Sequence, residues 1–127
     1  MSSPTDPQSW IDKAEEDYKI AQLTLRRKQP LTYGATYHAQ QCGEKYLKAL
    51  LVDRGLVPPR THDLVALGNQ CLYAGMMVPV STADLQRLSD YAVLSRYPGN
   101  DPTVAEAKDA LTIAKAIRKF SRKLFAL

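Results

Sequence analysis

The chain has 127 residues, of which 45% are hydrophobic and 24% are charged, and its formal net charge is +4. This length predicts a single domain over residues 1–127 with a real hydrophobic core, and the composition excludes a wholly disordered chain. No apolar run approaches the ~20 residues of a membrane span, and the N-terminal MSSPTDPQSW lacks the basic and apolar regions of a signal peptide, so we expect a cytoplasmic protein without a membrane partner.

The first helix is predicted to begin at Pro7, because Asp6 is a good N-cap and proline is favoured at the first helical position. Acidic residues come early in this segment and basic residues late, which suits the helix macrodipole, and Pro30 marks its end. Its apolar residues recur at steps of three or four and share one stripe: Trp10, Ala14, Tyr18, Ala21 and Leu25.

The second helix is predicted from about Thr32 to Arg54, with Gly55 as a C-terminal stop. Glycine weakens a helix interior, so Gly43 within its apolar face predicts the close approach of a neighbouring helix. That face consists of Ala35, Ala39, Cys42, Gly43, Tyr46, Leu47 and Leu50.

The segment LVPPRTH is a loop, because paired prolines do not continue a helix. We expect Thr61 to cap a short third helix over residues 62 to about 73. Ser81, with Asp84 three residues later in an approximate capping box, predicts the start of a fourth helix, TADLQRLSDYAVLSR, which precedes Pro98-Gly99.

The fifth helix is predicted to start at Asp101-Pro102, the same signal that starts the first. Its core positions follow a seven-residue repeat typical of helical bundles: Val104, Ala107, Leu111, Ala114, Ile117, Ser121 and Leu124. The helix also carries basic residues that form either a solvated face or a nucleic-acid contact: Lys115, Arg118, Lys119, Arg122 and Lys123.

No segment alternates with a period of two for long enough to predict a strand, and Pro79 argues against one in MMVPV. The sequence therefore predicts an all-α fold, an antiparallel up-and-down bundle of four to five helices. Cys42 and Cys71 are far apart, and neither has a cysteine or histidine at metal-ligand spacing, so we expect two free core thiols and no metal or cofactor.

A polar stripe on the second helix is the first candidate site. His38, Gln41, Lys45 and Lys48 step by three, four and three, which places them on one side away from the apolar face. The lysines and the histidine would hold a phosphate, and the glutamines of this helix would hydrogen-bond a base or a backbone. The alternative is a solvated face whose lysine stems cover the core.

The segment RTHD, from Arg60 to Asp63, is the second candidate. An arginine, a capping threonine and His62 converge at a helix start, where backbone N–H groups favour an anion. The alternative is that Asp63 orients the His62 ring as a structural partner, because no serine stands in a nucleophile motif to complete a triad.

The segment SRYPGND, which follows the fourth helix, is the third candidate. Arg96 would bind a phosphate while Tyr97 stacks on a base. The alternative is structural, with Arg96 complementing the helix dipole and Tyr97 packing over the helix end.

Taken in order, the motifs AEEDYKIA, YHAQQCGEKYLKALL, THDLVAL and SRYPG resemble the HEPN domain family (higher eukaryotes and prokaryotes nucleotide-binding), from about Ser9 to the final helix. The resemblance implies an all-α bundle, frequently a homodimer, and a minimal nucleotidyltransferase partner in a toxin–antitoxin pair. Some relatives are metal-independent ribonucleases that use an arginine followed, after four to six residues, by a histidine.

This chain departs from that ribonuclease motif. Arg96 is followed by YPGNDPTV, which contains no histidine, and seven residues including a Pro-Pro pair separate Arg54 from His62. Without an imidazole, general acid–base catalysis loses a factor of ~10²–10⁴. The resemblance is therefore to the branch with an RYP-type ending, which is associated with nucleotide binding or with partnering the transferase.

Three hypotheses follow. The leading one is a homodimeric binding module, not an enzyme, whose cleft holds a nucleotide or an RNA phosphate through Lys45, Lys48, His62, Asp63, Arg96 and Tyr97. The second is an endoribonuclease in which the fold brings His62 or His38 to Arg96 as catalytic groups. The third is a structural bundle that only docks its partner.

Overall fold

The computed structural model describes residues 5–127, and within that range the chain forms five helices and no β-strand. The helices are α1 (Pro7–Arg26), α2 (Thr32–Asp53), α3 (Leu64–Tyr73), α4 (Thr82–Leu94) and α5 (Val104–Leu124). The predicted all-α bundle is confirmed. The N-terminal stretch MSSPTDPQSW, in which we expect no signal peptide, begins before residue 5 and so lies partly outside the described residues. No helix in residues 5–127 is long and apolar enough to cross a membrane.

The predicted start of α1 is confirmed, because the Asp6 side chain accepts a hydrogen bond from the Gln8 backbone N–H at 3.0 Å. The middle of the predicted stripe is buried, whereas Trp10 and Leu25 near its ends are partly exposed. Asp17 is also buried on this helix, although the predicted stripe does not include it.

The central helix α2 packs against all four others, and every residue of its predicted apolar face is buried. A Cβ atom added to Gly43 would lie 3.0 Å from Ile117 Cδ1 and 3.5 Å from Leu88 Cδ2. The predicted close approach is therefore confirmed, and α4 and α5 are the helices that use it. Gly55 follows α2 with a φ of 75°, a left-handed conformation that glycine adopts without strain.

The predicted start of α3 is wrong by two residues. The helix begins at Leu64, and its N-cap is Asp63, whose carboxylate accepts from Val65 N at 2.9 Å and Ala66 N at 3.3 Å. Thr61 instead accepts from the Asp63 backbone N–H at 3.1 Å, one step outside the helix. Both residue types cap well, and the extended backbone at residue 63 places the aspartate at the helix end.

The Ser81 cap of α4 is confirmed by a 3.1 Å hydrogen bond from the Asp84 backbone N–H, although the helix already ends at Leu94. The predicted cap of α5 is wrong, because the helix is capped by Thr103 and not by Asp101. Thr103 and Glu106 form a reciprocal capping box with hydrogen bonds of 3.1 and 2.9 Å, which satisfies two helix donors at once.

Two of the basic residues of α5 serve the bundle itself. Arg118 Nε and Arg122 donate to Glu15 at 3.0 and 2.6 Å, and the buried Tyr46 donates its phenol to the same carboxylate at 2.6 Å. Burial raises the pKa of Glu15, but the hydrogen bonds from Tyr46 and Arg118 outweigh it and leave that pKa below its ordinary value. The remaining basic side chains, Lys115, Lys119 and Lys123, are exposed.

The remaining core agrees with the sequence pattern in part. In α5 four members of the predicted repeat are buried, Ala107, Ala114, Ile117 and Ser121, whereas Leu111 is partly buried and Val104 and Leu124 at the ends are exposed. Ala110 and Ile113 widen the buried stripe. Both cysteines are free and buried, as predicted. Burial raises the pKa of the Cys71 thiol to about 11.

Candidate functional site

The predicted polar stripe of α2 begins with a shared carboxylate from α1. The His38 ring lies with Nδ1 2.7 Å from Asp17 Oδ1, and Lys45 Nζ donates to Asp17 Oδ2 at 2.5 Å. The Asp17 side chain is only 7% exposed, so both contacts compensate the desolvation of a buried charge. The structure therefore brings His38 and Lys45 together, as an ion-paired group between α1 and α2.

A second carboxylate repeats this arrangement on the other side of α2. Glu44, 5% exposed, places Oε1 2.7 Å from His62 Nδ1 and accepts at Oε2 from Lys48 Nζ at 3.2 Å. Lys48 is itself only 9% exposed, so the prediction that it belongs to a surface stripe is wrong. At the C-terminal half of α2 the helix turns this lysine toward α1, where its ammonium lies 5.6 Å from the centre of the Trp10 ring.

Two glutamines hold the α2–α3 loop against this second group. Gln40 Nε2 donates to the His62 backbone carbonyl at 3.1 Å and to Glu44 Oε1 at 3.3 Å, and Gln41 Nε2 donates to Gln40 Oε1 at 2.8 Å. Both glutamine side chains therefore donate within the chain. The loop position of His62 is therefore set by α2.

The His62 ring is oriented by Glu44 and not by Asp63, whose carboxylate caps α3. The interpretation of Asp63 as the partner of the ring is wrong, and its role as a cap occupies the carboxylate that we expected to bind a ligand. An ionised carboxylate only accepts hydrogen bonds, so Nδ1 of His62 carries the proton. The ring is 73% exposed, and Nε2 has no hydrogen-bond partner among residues 5–127.

Arg96 and Tyr97 lie in the turn after α4 and are both exposed, Tyr97 by 62%. Within residues 5–127 the Arg96 guanidinium forms no hydrogen bond or ion pair, and neither histidine ring contacts it in that way. The Ser89 hydroxyl accepts from the Leu64 backbone N–H at 3.1 Å, which ties the start of α3 to α4. Arg96 lies beyond the C-terminal end of α4, two residues after its last helical residue, Leu94.

The other arginine–histidine pair of the sequence is not assembled. Arg54 donates to the Ala74 carbonyl at 3.1 Å, at the C-terminal end of α3, whereas His62 precedes the start of that helix. A helix of this length separates the two side chains, because α3 spans 10 residues, or about 15 Å.

Sequence reasoning missed the two residues that organise the site, Asp17 and Glu44. Asp17 lies three residues after Ala14 and four before Ala21, which places a carboxylate on the apolar stripe of α1. This position is the signal that could have identified it, because a buried carboxylate requires partners. For Glu44, whose neighbours Cys42, Gly43 and Tyr46 were assigned to the core, the same argument applies.

Comparisons with known proteins agree with this architecture. The model of the HEPN domain family matches residues 7–124. The protein named "Putative toxin MJ1304", from Methanocaldococcus jannaschii, is 25% identical over an alignment of 142 positions, gaps included, that covers 93% of this chain and 90% of that protein. The crystal structure of TT1696 from Thermus thermophilus shares the fold, with a TM-score of 0.69 and 24% identity over 92% of this chain and 96% of that one.

Proposed function

The chain belongs to the HEPN domain family, and we propose that it is the toxin-type member of a toxin–antitoxin-like pair that binds a nucleotide or an RNA phosphate. A relative of similar length is named as a toxin, which supports the first part of this proposal. The proposal also includes a minimal nucleotidyltransferase as the partner of this protein in the pair, as the family resemblance implies.

The orientation of His62 by Glu44 is the observation that carries the proposal. A carboxylate that is 5% exposed holds a ring that is 73% exposed, at 2.7 Å. Packing alone does not need this contact, because an exposed imidazole is solvated without help and Lys48 already pairs with Glu44. The contact fixes the ring and leaves Nε2, the acceptor nitrogen of this tautomer, free to accept a hydrogen bond from a ligand hydroxyl such as a ribose 2′-OH, as carboxylates behind the histidine do in other histidine sites.

Arg96 and Tyr97 supply the rest of the proposed ligand contacts. An arginine without an internal partner is available for bidentate contact with a phosphate, and an exposed tyrosine is available to stack on a base. Lys45 and Lys48 contribute less than the sequence predicts, because each already pairs with a buried carboxylate.

A nucleotide titration tests this proposal. We expect ATP to shift the amide resonances around His62 and Arg96, and Arg96→Ala to weaken binding about tenfold, the loss of one charge-assisted contact. Arg27→Ala is the matched control, because Arg27 is an exposed arginine at the C-cap of α1, in a different turn of the chain. Resonances that do not move at millimolar ATP or with a short RNA would contradict the proposal.

A ribonuclease activity is the second candidate, and the free Nε2 of His62 favours it. A ring held by a carboxylate at Nδ1 is oriented for proton transfer at Nε2, which is what attack by a ribose 2′-OH on the phosphodiester requires. Purified protein with a chelator present would then cleave RNA, and both His62→Gln and Arg96→Ala would abolish the cleavage. RNA that stays intact with the wild-type protein would reject the ribonuclease candidate but would not contradict the proposal that the protein binds a nucleotide or RNA phosphate.

The partner and the dimer are tested together. We expect a homodimer by solution mass and a tight complex on co-expression with the product of the neighbouring gene. Val93 and Leu94 are exposed apolar side chains at the end of α4 that a second subunit would cover. A tight complex formed by a protein with no nucleotide or RNA response would instead identify a purely structural docking bundle.

A further inference from the structure

A cavity of about 460 Å³ lies beside the group formed by Glu44, Lys48 and His62. It is bounded by the start of α1, the second half of α2 and the α2–α3 loop. Its walls include Trp10, Val52 and Leu56, with Lys48 inside and Arg60 in the loop. This volume falls in the range of roughly 300–1,000 Å³ that small-molecule sites occupy, and a mostly apolar wall with few polar groups is typical of such sites.

The charge of the cavity has one sign. Two of its lining residues are cationic, Lys48 and Arg60, and none of the described lining residues is acidic. The Lys48 ammonium has three N–H donors, of which one reaches an acceptor among residues 5–127, the Glu44 carboxylate at 3.2 Å. The Lys48 side chain is buried and lines the cavity, so a ligand in the cavity reaches this ammonium.

We propose that this cavity binds a small planar aromatic anion. The ring packs against Trp10 and the aliphatic side chains of Val52 and Leu56, and the acidic group accepts hydrogen bonds from Lys48. Arg60 adds a second positive charge in the loop wall. An apolar ligand without charge leaves the buried ammonium with a single acceptor, which is why the chemistry favours an anion.

The cavity and the His62 site share one carboxylate. Glu44 accepts a hydrogen bond from Lys48 at Oε2 and contacts His62 Nδ1 at Oε1. A ligand that binds Lys48 therefore changes the electrostatic environment of the His62 ring through the shared carboxylate. Occupancy of the cavity therefore has a readout at the proposed phosphate site, whose principal contacts, His62 and Arg96, do not line the cavity. The cavity proposal stands whether or not a nucleotide binds at His62 and Arg96.

Binding of 2-naphthoate and of its neutral isostere 2-naphthamide tests the proposal by two-dimensional NMR of the full chain. We expect 2-naphthoate to shift the Trp10 indole N–H, Val52 and the ring protons of His62, and to bind about tenfold more tightly than the amide. Equal affinities would overturn the requirement for an anion, and the absence of shifts at millimolar 2-naphthoate would overturn the site.

Variants separate the ammonium from the fold. Lys48→Met should reduce the affinity for 2-naphthoate about tenfold and leave that for 2-naphthamide unchanged, whereas Lys19→Met, at an exposed lysine of α1, should change neither. Because Lys48 is buried, its loss could unfold the chain, so Arg60→Gln in the exposed loop provides the second test and should weaken only the anion. An unchanged preference for the anion in both variants would refute the proposal.

A nucleoside monophosphate presents the same chemistry from another source. Adenosine 5′-monophosphate that displaces 2-naphthoate would support the site and identify its ligand as a nucleotide. Failure to displace it, with 2-naphthoate bound, would assign the cavity to aromatic carboxylates.

Discussion

Replacing Glu44 by glutamine tests whether the buried carboxylate neutralises Lys48. The change keeps the shape of the side chain and removes the negative charge 3.2 Å from an ammonium whose side chain is 9% exposed. Removing one partner of a buried ion pair costs about 3 kcal/mol, because the other charge stays buried without compensation. For a chain of this length we expect the midpoint of thermal unfolding to fall by roughly 10 °C.

The double variant Glu44→Gln, Lys48→Met makes the test quantitative. A neutral, well-packed pair is expected to be close to the wild-type protein, within about 1 kcal/mol, so the two single losses should not add. Urea unfolding of the four proteins of this cycle measures the coupling, which we expect to exceed about 2 kcal/mol. Lys19→Met, an exposed lysine of α1, is the control and should change stability by less than about 0.5 kcal/mol. Additive losses, or a cost below about 1 kcal/mol for Glu44→Gln, would refute the reasoning.

Three further predictions follow from the core. The pKa of Glu15 is lowered in the folded state, so its contribution to stability is fully present above about pH 4.5 and is lost as the pH falls through the lower pKa of the folded state. Between about pH 6 and pH 3, the urea midpoint should therefore fall more steeply for the wild-type protein than for Glu15→Gln. Cys42 and Cys71 are buried, and with the pKa of Cys71 raised to about 11 neither thiol should react with a disulfide reagent at about pH 8 until the chain unfolds in urea. Gly43→Val should destabilise the fold by about 2 kcal/mol through overpacking. Gly34→Ala in the same helix, with no atom within 4 Å of the new Cβ, should instead stabilise it by up to ~1 kcal/mol. Equal effects of the two variants in chemical denaturation would show that α2 is not tightly packed at residue 43.

The cavity and the SRYPG segment differ in how far the sequence predicts them. The loop LVPPR and the start of α1 are separate segments with no pattern in common, so their meeting around Trp10 and Lys48 has no local signal. The residue types at SRYPG, by contrast, already indicate an exposed arginine and tyrosine, and the structure leaves both side chains exposed.

The sequence alone determined the all-α bundle, the approximate extents of its helices and the close approach at Gly43. Periodicity and capping act over only a few residues, so they are encoded locally and are wrong at α3 and α5 by a few positions.

Only the tertiary structure decided which charges meet. Asp17 reaches Lys45 across 28 positions and Glu44 reaches His62 across 18, and the same packing turns Lys48 inward and leaves Arg96 unpaired in residues 5–127. Ion pairs between helices depend on the rotation of each helix about its axis, and that rotation is set by the burial of the whole apolar face. The histidine that the sequence identified is therefore positioned by a carboxylate that only the packed bundle brings to it.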